Sequence, residues 1–422
     1  MRLQKIISRL QKLHPKKIDL SLDRIKNLCC KLNNPQDKIK VISVVGTNGK
    51  FSTIQAMYSI LKEAKYKCNI YTSPHIKKIN ERFIFNNKEI KDNELADLLE
   101  KVEKINNNRP ITFFEILTSA YFYKAALYPN NINLVETGLF HRFDATNILK
   151  KNLANIVTPI GLDHLDWLPK NDQNIKRIIF EKTSSLLNSK IIIAKQTSKK
   201  IDKEIKKNII KNSSKKLFYN ENYNLLFNKN DFIYKENKSY KIKLSYPKIL
   251  GKFQLENIAS AIATLRTIQQ LKLKDINIKK GISKINSFAR LQEIKKGKIK
   301  NLVKKNKLFI DGSHNPLGAK VINQYLKDLK CNKHIILGMM ANKDHNKFMN
   351  YFKNITTLTT IDVPNQPMAI SGRDLKTKLK KFKNVKYKRN IFDALKSISL
   401  KKNDIILITG SLYLAGEILN LN

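Results

Sequence analysis

A short turn bounded by two glycines and followed by a lysine is the part of this sequence whose residue types point most directly to chemistry. The turn and the residues after it are Gly46, Thr47, Asn48, Gly49, Lys50, Phe51, Ser52 and Thr53. Backbone N–H groups, the dipole of a following helix and the lysine charge together form a site for phosphate. The generic phosphate-binding pattern has a longer glycine spacing and a hydroxyl residue directly after the lysine. An ordinary turn before a helix is the alternative, but Lys50, Ser52 and Thr53 favour a nucleotide-phosphate site.

Three further polar residues end or follow apolar runs that are typical of buried strands: Ser73, Glu136 and His164. Ligands of open parallel sheets bind beyond the carboxyl ends of the strands, where successive loops converge. We therefore expect Lys50 and these three residues to share one crevice. Taken singly, Ser73 could be a turn residue, Glu136 a strand-end charge and His164 a histidine satisfied by neighbouring acids.

The elements that must position these residues alternate between β-branched runs and helical stretches, which predicts an α/β fold with a mostly parallel sheet. The strands expected first are Val41–Val45, Asn69–Tyr71, Ile132–Glu136, Ala154–Thr158 and Ile191–Ala194, with a helix over Ser52–Ala64. A second α/β series begins near Lys307, with strands at Leu308–Asp311, His334–Gly338 and Asp404–Ile408 and a helix from about Gly318. The Lys- and Asn-rich stretch Lys199–Lys248 predicts a peripheral hairpin region, and Ile258–Leu265 a closely packed helix.

A chain of 422 residues favours two domains, which we place at residues 1–290 and 291–422. Hydrophobic residues make up 42% of the sequence, and no apolar run suits a membrane span or a signal peptide, so we expect a cytoplasmic protein without membrane partners. The formal net charge is +47, but the lysines are scattered along the whole chain, so we expect no nucleic-acid partner. The charge raises the encounter rate with anionic substrates. The four cysteines show neither a metal-site spacing nor a disulfide framework, which favours reduced thiols.

The turn from Gly46 to Lys50 resembles that of the Mur ligase superfamily, and specifically that of the folylpolyglutamate synthase/dihydrofolate synthase family. Further segments resemble this family in the family order: Thr72-Ser73-Pro74-His75, Thr112-Phe113-Phe114-Glu115, Asp144-Ala145-Thr146-Asn147, Gly161-Leu162-Asp163-His164, Asp311-Gly312-Ser313-His314-Asn315-Pro316 and Gly410-Ser411-Leu412-Tyr413. The resemblance covers most of the chain. It implies an N-terminal P-loop ATPase domain of the Mur-ligase type and a smaller C-terminal doubly wound, Rossmann-like domain.

The resemblance also implies a reaction: ATP phosphorylates a carboxylate to an acyl phosphate, and the amine of L-glutamate then forms an amide. Mg²⁺ is the expected metal, because in-line phosphoryl transfer gathers negative oxygens that a hard cation neutralises. By resemblance, Ser73, Glu136 and His164 bind one or two Mg²⁺ ions. The expected partners are small molecules (ATP, L-glutamate, and dihydropteroate or folate), and the expected oligomeric state is a monomer. Whether the acceptor is dihydropteroate, folate or both stays open, although bacterial relatives often use both.

Other site residues follow from the same resemblance. Lys182 of the Glu181-Lys182 pair matches a family lysine that CO₂ can carboxylate, and His314 is expected to orient phosphate or the incoming amine. The expected contacts to the nucleotide are Asn257, Arg290 and Asp311, and those to the pterin and carboxylate substrate are Arg82, Thr112, Phe114 and Asp144. Several of these residues also have a purely structural interpretation. The interpretations are a helix lysine for Lys182, a turn-stabilising histidine for His314, a helix cap for Asn257, a surface charge for Arg290, a strand-end turn for Asp311 and helix core for Phe114.

Two departures from the family pattern fall in the site itself. Phe51 stands where the family has a small glycine, and Phe140-His141 stands where it has two glycines. Two other functions were weighed: a Mur-type ligase that acts on a peptidoglycan precursor, and a basic nucleic-acid-binding ATPase. The Thr72–His75 and Asp144–Asn147 segments count against the first. No recognised nucleic-acid-binding module supports the second.

Overall fold

The computed structural model describes residues 2–13, 20–237, 239–382 and 384–422. These residues form two compact units. The first contains the described residues up to Ile160, those of Lys170–Lys248, and Glu256–Ile285. The second contains Gly161–Pro169, Ile249–Leu255 and the described residues from Asn286 onward. Three short segments that we placed in the N-terminal domain, 161–169, 249–255 and 286–290, therefore belong to the second unit.

The first unit is built on an eight-stranded sheet. Its strands are β1 (Lys40–Val45), β2 (Cys68–Tyr71), β3 (Phe83–Phe85), β4 (Lys88–Glu89), β5 (Ile132–Glu136), β6 (Ala154–Val157), β7 (Lys190–Ile193) and β8 (Lys216–Phe218), in the order β4-β3-β2-β5-β1-β6-β7-β8. In this order, β2, β5, β1, β6, β7 and β8 each pair in parallel with their neighbours. Strands β3 and β4 form an antiparallel edge beside β2. Five of the six residues of β1 are buried, as expected for a central strand covered by helices on both faces.

The helices of this unit are α1 (Arg2–Leu10), α2 (Asp23–Lys31), α3 (Lys50–Glu63), α4 (Asp92–Asn106), α5 (Phe113–Ala125), α6 (Ile175–Thr183), α7 (Lys199–Asn208), α8 (Lys252–Thr267, from Glu256 onward) and α9 (Asp275–Ser283). Helix α3 begins at Lys50, directly after the predicted phosphate turn, and buries Ile54, Met57 and Ile60. These side chains recur at intervals of three residues and therefore lie on one face of the helix.

The Lys199–Lys248 stretch is not only a hairpin region, as we had predicted. Its first part is α7, which Ser198 caps by accepting a hydrogen bond from Ile201 N, and which buries Ile201 and Ile205. The four-residue spacing of these isoleucines suits a helix, although lysines and a low local hydropathy obscure it. The rest contains β8 and an antiparallel sheet of β9 (Tyr223–Phe227), β10 (Asp231–Glu236) and β11 (Tyr240–Ser245), in which β10 is central.

The second unit contains a six-stranded sheet in the order β12-β13-β17-β14-β15-β16. Its strands are β12 (Gln292–Ile294), β13 (Lys307–Ile310), β14 (Lys333–Leu337), β15 (Thr357–Ile361), β16 (Val385–Lys388) and β17 (Ile405–Thr409). Its helices are α10 (Lys298–Leu302), α11 (Pro316–Lys327), α12 (His345–Met349), α13 (Gly372–Lys378), α14 (Ile391–Lys396) and α15 (Leu412–Leu421). All pairings are parallel except that of β12 with β13.

The predicted α/β fold class is confirmed, and the predicted strands of both series appear within one residue of their expected ends. The continuous Ile- and Val-rich runs were informative because buried parallel strands need apolar side chains on both faces. Among the described residues, no helix is both long enough and apolar enough to cross a bilayer.

Candidate active site

The Gly46 turn lies between the end of β1 and the first turn of α3. Gly46 has φ +148°, and a Cβ there would lie 2.0 Å from Thr158 Oγ1. Gly49 has φ +87°, and a Cβ there would lie 2.6 Å from Asn257 Oδ1, which brings this predicted nucleotide residue beside the turn. Both glycines are therefore required by backbone conformation and by close packing.

The backbone of the turn is held by the neighbouring strand end. The N–H groups of Thr47 and Asn48 both donate to Pro159 O, at 3.0 and 3.2 Å, so they fix the shape of the turn. Thr53 completes the first helical turn, because its N–H and hydroxyl both donate to Gly49 O at 2.9 Å. Ser52 and Thr53 are buried, and Phe51 is half-buried. The N-terminus of α3 is thus the part of this segment whose dipole suits an anion.

Three of the four residues expected to share a crevice come together in the first unit. Lys50 Nζ lies 3.7 Å from Glu136 Oε1, and Ser73 N donates to Glu136 Oε2 at 3.2 Å. The Lys50 ammonium also donates to Gly46 O and Thr47 O, each at 3.3 Å. Glu136, at the end of β5, therefore links the Gly46 turn to the loop after β2, which contains Ser73, through one buried carboxylate. His164 lies in the second unit.

Lys182 is a buried cation at the base of the turn. Its ammonium donates to Gly46 O at 3.0 Å and to Leu139 O at 2.8 Å, and it lies 5.5 Å from the centre of the Phe140 ring. It therefore joins the Gly46 turn to the loop that follows β5. The neighbouring Glu181 pairs with Arg142 and Arg177, each at 2.7 Å. Carboxylation of Lys182 stays a prediction.

His141 is buried beside this cation. Burial and the charge of Lys182 lower the pKa of His141 to about 3, so its ring is neutral at physiological pH. Neither ring nitrogen has a hydrogen-bond partner among the described residues. The bulk of Phe140-His141, which departs from the family pattern, is thus accommodated inside the fold.

Three residues predicted to bind the acceptor share one neighbourhood around Tyr71. The Phe114 ring stacks on Tyr71 with centroids 5.9 Å apart, and both Arg82 and Asp144 influence the Tyr71 hydroxyl electrostatically. Burial is the largest cause of the raised pKa of Tyr71, which donates to or accepts from Thr118 Oγ1 at 3.1 Å. A half-buried aromatic ring beside a guanidinium and a carboxylate suits a planar, polar-edged ligand.

Two of the residues predicted to bind the acceptor substrate, Asp144 and Thr112, also stabilise the local backbone. Asp144 accepts from the N–H groups of Gly138 and Leu139 and from both donors of Thr146, at 2.6 to 3.1 Å, and burial raises its pKa. Thr112 caps α5, since its hydroxyl accepts from Glu115 N while Glu115 accepts from Thr112 N. Both residues shape the loops of this region.

The Ser73 loop contains a pair that the sequence analysis did not single out. Arg82 Nε donates to His75 Nδ1 at 3.1 Å, and burial together with the Arg82 charge lowers the pKa of His75 to about 4. Glu81 organises the same loop by accepting from the N–H groups of Ile76, Lys77 and Lys78. The available signal was the clustering of His75, Glu81 and Arg82 directly after the end of a strand.

In the second unit, Asp163 gathers several groups that follow strand ends. It accepts from Asn315 Nδ2 and Lys343 Nζ, both at 2.8 Å, and its Oδ2 lies 3.5 Å from His314 Nε2. Burial alone would raise the pKa of Asp163, but the His314 contact and the neighbouring cations hold it well below its usual range. His164 has φ +57°, and its N–H donates to Asp163 Oδ1 at 3.0 Å. Asp163 therefore stabilises the unusual backbone of His164.

Asp311 lies directly after β13, close to Arg290, whose charge acts on it. Asp311 accepts from Leu291 N and Ser313 N, each at 2.7 Å, and burial raises its pKa while the Arg290 charge opposes that shift. Ala289 and Leu291 on either side of Arg290 have φ +52° and +50°. Left-handed backbone at two non-glycine residues is costly, and Asp311 is one of the groups that hold it.

Lys343 was missed because it lies in a loop without a familiar motif. The signal that could have found it was its place after β14, since the loops that follow parallel strands converge at one edge. Among the described residues, no group of three or more His, Cys, Asp or Glu side chains is arranged to hold a metal ion. The Glu136 carboxylate and the Ser73 hydroxyl are hard oxygen donors that fit Mg²⁺ when phosphate and water supply its other ligands.

Known proteins resemble this chain in sequence. Residues 293–412 match the family model of the Mur ligase glutamate ligase domain. The chain is 28% identical over 424 residues to the dihydrofolate synthase/folylpolyglutamate synthase of Bacillus subtilis, and the match covers 94% of each chain.

Solved structures extend the likeness to the whole fold. The Mycobacterium tuberculosis folylpolyglutamate synthase complexed with ADP superposes with a TM-score of 0.87 at 21% identity, covering 100% of this chain and 98% of that one. The bifunctional folylpolyglutamate synthase/dihydrofolate synthase of Yersinia pestis, complexed with AMPPNP and a Mn ion, has a TM-score of 0.86 at 21% identity, with 99% and 97% covered. The fold is therefore shared along the full length of both proteins.

Proposed function

This chain belongs to the Mur ligase family, and from that premise we propose that it is an ATP-dependent ligase that joins L-glutamate to dihydropteroate, to folates, or to both. The observation that carries the proposal is that Lys50, Ser73 and Glu136 lie together at the strand ends, beside the N-terminus of α3, whose N-cap is Gly49. A cation, a hydroxyl and a carboxylate around a helix N-terminus form the kind of site in which phosphoryl groups are held and transferred.

In the first step, an acceptor carboxylate oxygen attacks the γ-phosphorus of ATP. A P–O bond forms to the carboxylate, the bond to ADP breaks, and an acyl phosphate results. Lys50 lies where its charge offsets the negative oxygens, and the dipole of α3 acts in the same direction. Lys182 holds Gly46 and Leu139 at fixed positions, so the turn is already shaped before the transfer.

In the second step, the glutamate amine attacks the acyl carbon. A C–N bond forms, the C–O bond to phosphate breaks, and the amine gives up its proton, leaving an amide and inorganic phosphate. For this step we propose His314 as the group that orients phosphate or the amine. Its Nδ1 faces Gly312 O at 3.1 Å, which fixes the direction of the ring.

We further propose Mg²⁺ as the metal, with Ser73, Glu136 and His164 as its protein ligands. When bound, this ion would neutralise phosphate oxygens and hold the reacting groups in line. For the nucleotide we propose contacts from Gly46–Thr53, Asn257, Arg290 and Asp311. In Asp311 both carboxylate oxygens accept backbone hydrogen bonds, so it also orders the Arg290 segment.

For the acceptor we propose Arg82, Thr112, Phe114 and Asp144. The Phe114 ring offers an apolar surface to a pterin, and the polar groups around Tyr71 offer it hydrogen-bonding edges. Thr112 and Asp144 contribute by shaping the helix start and the loop that border this surface. We propose that the protein acts as a monomer, which size-exclusion chromatography with light scattering would test.

The decisive experiment supplies ATP, Mg²⁺ and L-glutamate with dihydropteroate or with tetrahydrofolate in separate reactions, and follows ADP release and product mass. A product heavier by one glutamyl residue, in one reaction or in both, identifies the acceptor. Glutamate-independent ATP hydrolysis, or turnover only with a peptidoglycan precursor, would contradict the proposal. Tight, salt-sensitive binding of DNA or RNA that survives loss of Lys50 would instead support a nucleic-acid-binding ATPase.

A further inference from the structure

The loop after β2 contains a hydrogen-bonded pair, His75 and Arg82, in which the donor atom and the tautomer of the histidine can be assigned. Arg82 Nε donates to His75 Nδ1 at 3.1 Å. A guanidinium has no acceptor atom, so Nδ1 must be the acceptor, and the ring proton of neutral His75 resides on Nε2. The bond uses Nε of Arg82, and it therefore sets the plane in which the terminal nitrogens lie.

This loop is held at both of its ends. Thr72 N donates to Arg82 O at 3.2 Å, which closes the loop, and Ser73 N donates to the Glu136 carboxylate. Glu81 accepts from three successive backbone N–H groups in the middle of the loop. The direction of Arg82 is thus determined by a backbone that is itself tied to the strand-end carboxylate.

Arg82 also lies within electrostatic reach of the acceptor neighbourhood. Its charge acts on the buried Tyr71, on which the Phe114 ring stacks. A guanidinium whose plane is fixed can bind a carboxylate through two parallel hydrogen bonds, whereas a rotating one loses part of that gain as side-chain entropy.

We propose that His75 positions the guanidinium of Arg82 to bind a carboxylate of the acceptor substrate. This inference rests on the proposed function, and it assigns a positioning role to a residue outside the phosphate turn. It implies that His75 acts on acceptor binding through Arg82, and that it has no separate effect on ATP or on L-glutamate.

The test compares four variants of the full chain: His75→Leu, His75→Asn, Arg82→Ala and the double variant His75→Leu/Arg82→Ala. Asparagine offers an oxygen acceptor close to the Nδ1 position, and leucine offers none. KM for dihydropteroate, ATP and L-glutamate and kcat are measured for each, with melting temperature and ADP binding as checks of folding. Lys77→Ala is the matched control, because it removes a charge from an exposed position of the same loop.

We expect His75→Leu to raise KM for dihydropteroate about tenfold, as for one misdirected charge-assisted contact, while KM for ATP and for L-glutamate stays within about twofold. His75→Asn should recover most of the loss, and Lys77→Ala should match the native chain. The double variant should equal Arg82→Ala, because a residue that acts through Arg82 has no effect once Arg82 is gone.

Three results would overturn the inference: a native KM in folded His75→Leu, equal defects in the asparagine and leucine variants, or additive effects in the double variant. If His75→Leu does not fold, His75→Ala replaces it in the same comparison with His75→Asn. A native chain that forms no glutamate-dependent ADP with any acceptor would overturn the proposed function and this inference together. Normal native turnover with an unaltered variant KM would overturn the inference alone.

Discussion

Two strand–turn–helix segments of this protein have the same topology but different residues at the turn, where the helix begins. In the first unit, β1 leads through the Gly46 turn into α3, and in the second unit β13 leads through Asp311–Asn315 into α11. Both turns follow a buried parallel strand, and both place a helix N-terminus at a sheet edge. In both units the helix dipole favours a negatively charged group at this N-terminus.

The second turn satisfies its helix with its own side chains. Asn315 Oδ1 accepts from Gly318 N at 2.9 Å, Pro316 occupies the first helical position, and the Asp311 carboxylate accepts from two backbone N–H groups. Asn315 is a favoured capping residue, and proline suits a position where an N–H would lack an intrahelical partner. The protein supplies the negative charge of this turn itself.

The first turn has a different residue at the capping position. The N-cap of α3 is Gly49, which has no side chain with which to accept a hydrogen bond from the helix. Two cations, Lys50 and Lys182, donate to the backbone carbonyls of this turn. The same topology therefore has Asp and Asn at the turn in one unit and Gly and Lys in the other, which is the difference expected if the first turn binds an external anion.

Loss of the lysine should break this comparison most strongly. We expect Lys50→Ala to lower kcat for glutamate-dependent ADP formation by about 10³-fold, as for removal of a charge that acts on transferring phosphoryl oxygens. Lys62→Ala, at an exposed position of the same helix, is the control. Turnover is measured by coupled ADP release, with circular dichroism as a check of folding. Near-native turnover of Lys50→Ala would remove the basis for treating the turn as a phosphate site.

A side chain at Gly49 tests whether the N-terminus of α3 depends on the backbone geometry of its glycine N-cap. With φ +87° and Asn257 Oδ1 2.6 Å from the new Cβ, Gly49→Ala must move either the turn or Asn257. We expect kcat/KM for ATP to fall about 100-fold, since a small displacement of a phosphate-binding backbone is costly. Steady-state kinetics over a range of ATP concentrations measures this. An unchanged kcat/KM would mean that the turn tolerates a second conformation.

His141 extends the comparison to pH, because its ring is buried in the first unit with no hydrogen-bond partner among the described residues. Its folded pKa, about 3, lies below that of an exposed histidine, so the unfolded chain binds a proton that the folded chain excludes. The native chain should therefore lose stability as pH falls below about 6.5 toward 3, at on the order of 1 kcal/mol per pH unit. His141→Leu should show a shallower loss over that window.

Urea unfolding of both chains at several pH values, followed by far-UV circular dichroism, measures the difference between their slopes. His75 and His345 also have lowered pKa values, and they titrate in both chains, so the difference isolates His141. Parallel pH profiles for the two chains would show that the ring is not buried in its neutral form.

Much of this architecture could be predicted from the sequence, and the reason is physical. The strands β1, β5, β6 and β17 are short runs rich in Ile, Val and Leu, which favour a buried parallel sheet, and Gly46 and Gly49 mark a turn whose backbone favours glycine. Helix α7 was missed because its two buried isoleucines are outnumbered by lysines. Local hydropathy is a weak signal when a helix buries only one narrow face.

The site could be predicted as a set of residues but not as a set of contacts. Lys50, Ser73 and Glu136 were identified from strand ends, because topology alone brings such residues together. The partners of Asp144, the His75–Arg82 pair and the Asp163–Lys343 contact depend on loop conformation, which no periodicity reports. Polar loop residues often hold the backbone that presents the reacting groups.

The smallest effect should come from opening the second turn. In Asn315→Ala, α11 loses its cap and Asp163 loses one donor, and we expect the free energy of unfolding to fall by about 1 kcal/mol. Asn390→Ala removes the corresponding cap of α14 at an exposed position, together with a hydrogen bond to Asp393 Oδ2, and is the comparison for the loss of a cap that lacks a contact to Asp163. The single tryptophan, Trp167, lies in the second unit, so its fluorescence during urea unfolding follows that unit. If Asn315→Ala were as stable as the native chain, the Asn315 cap would not stabilise α11. The presence of a capping side chain would then not explain the difference between the two turns.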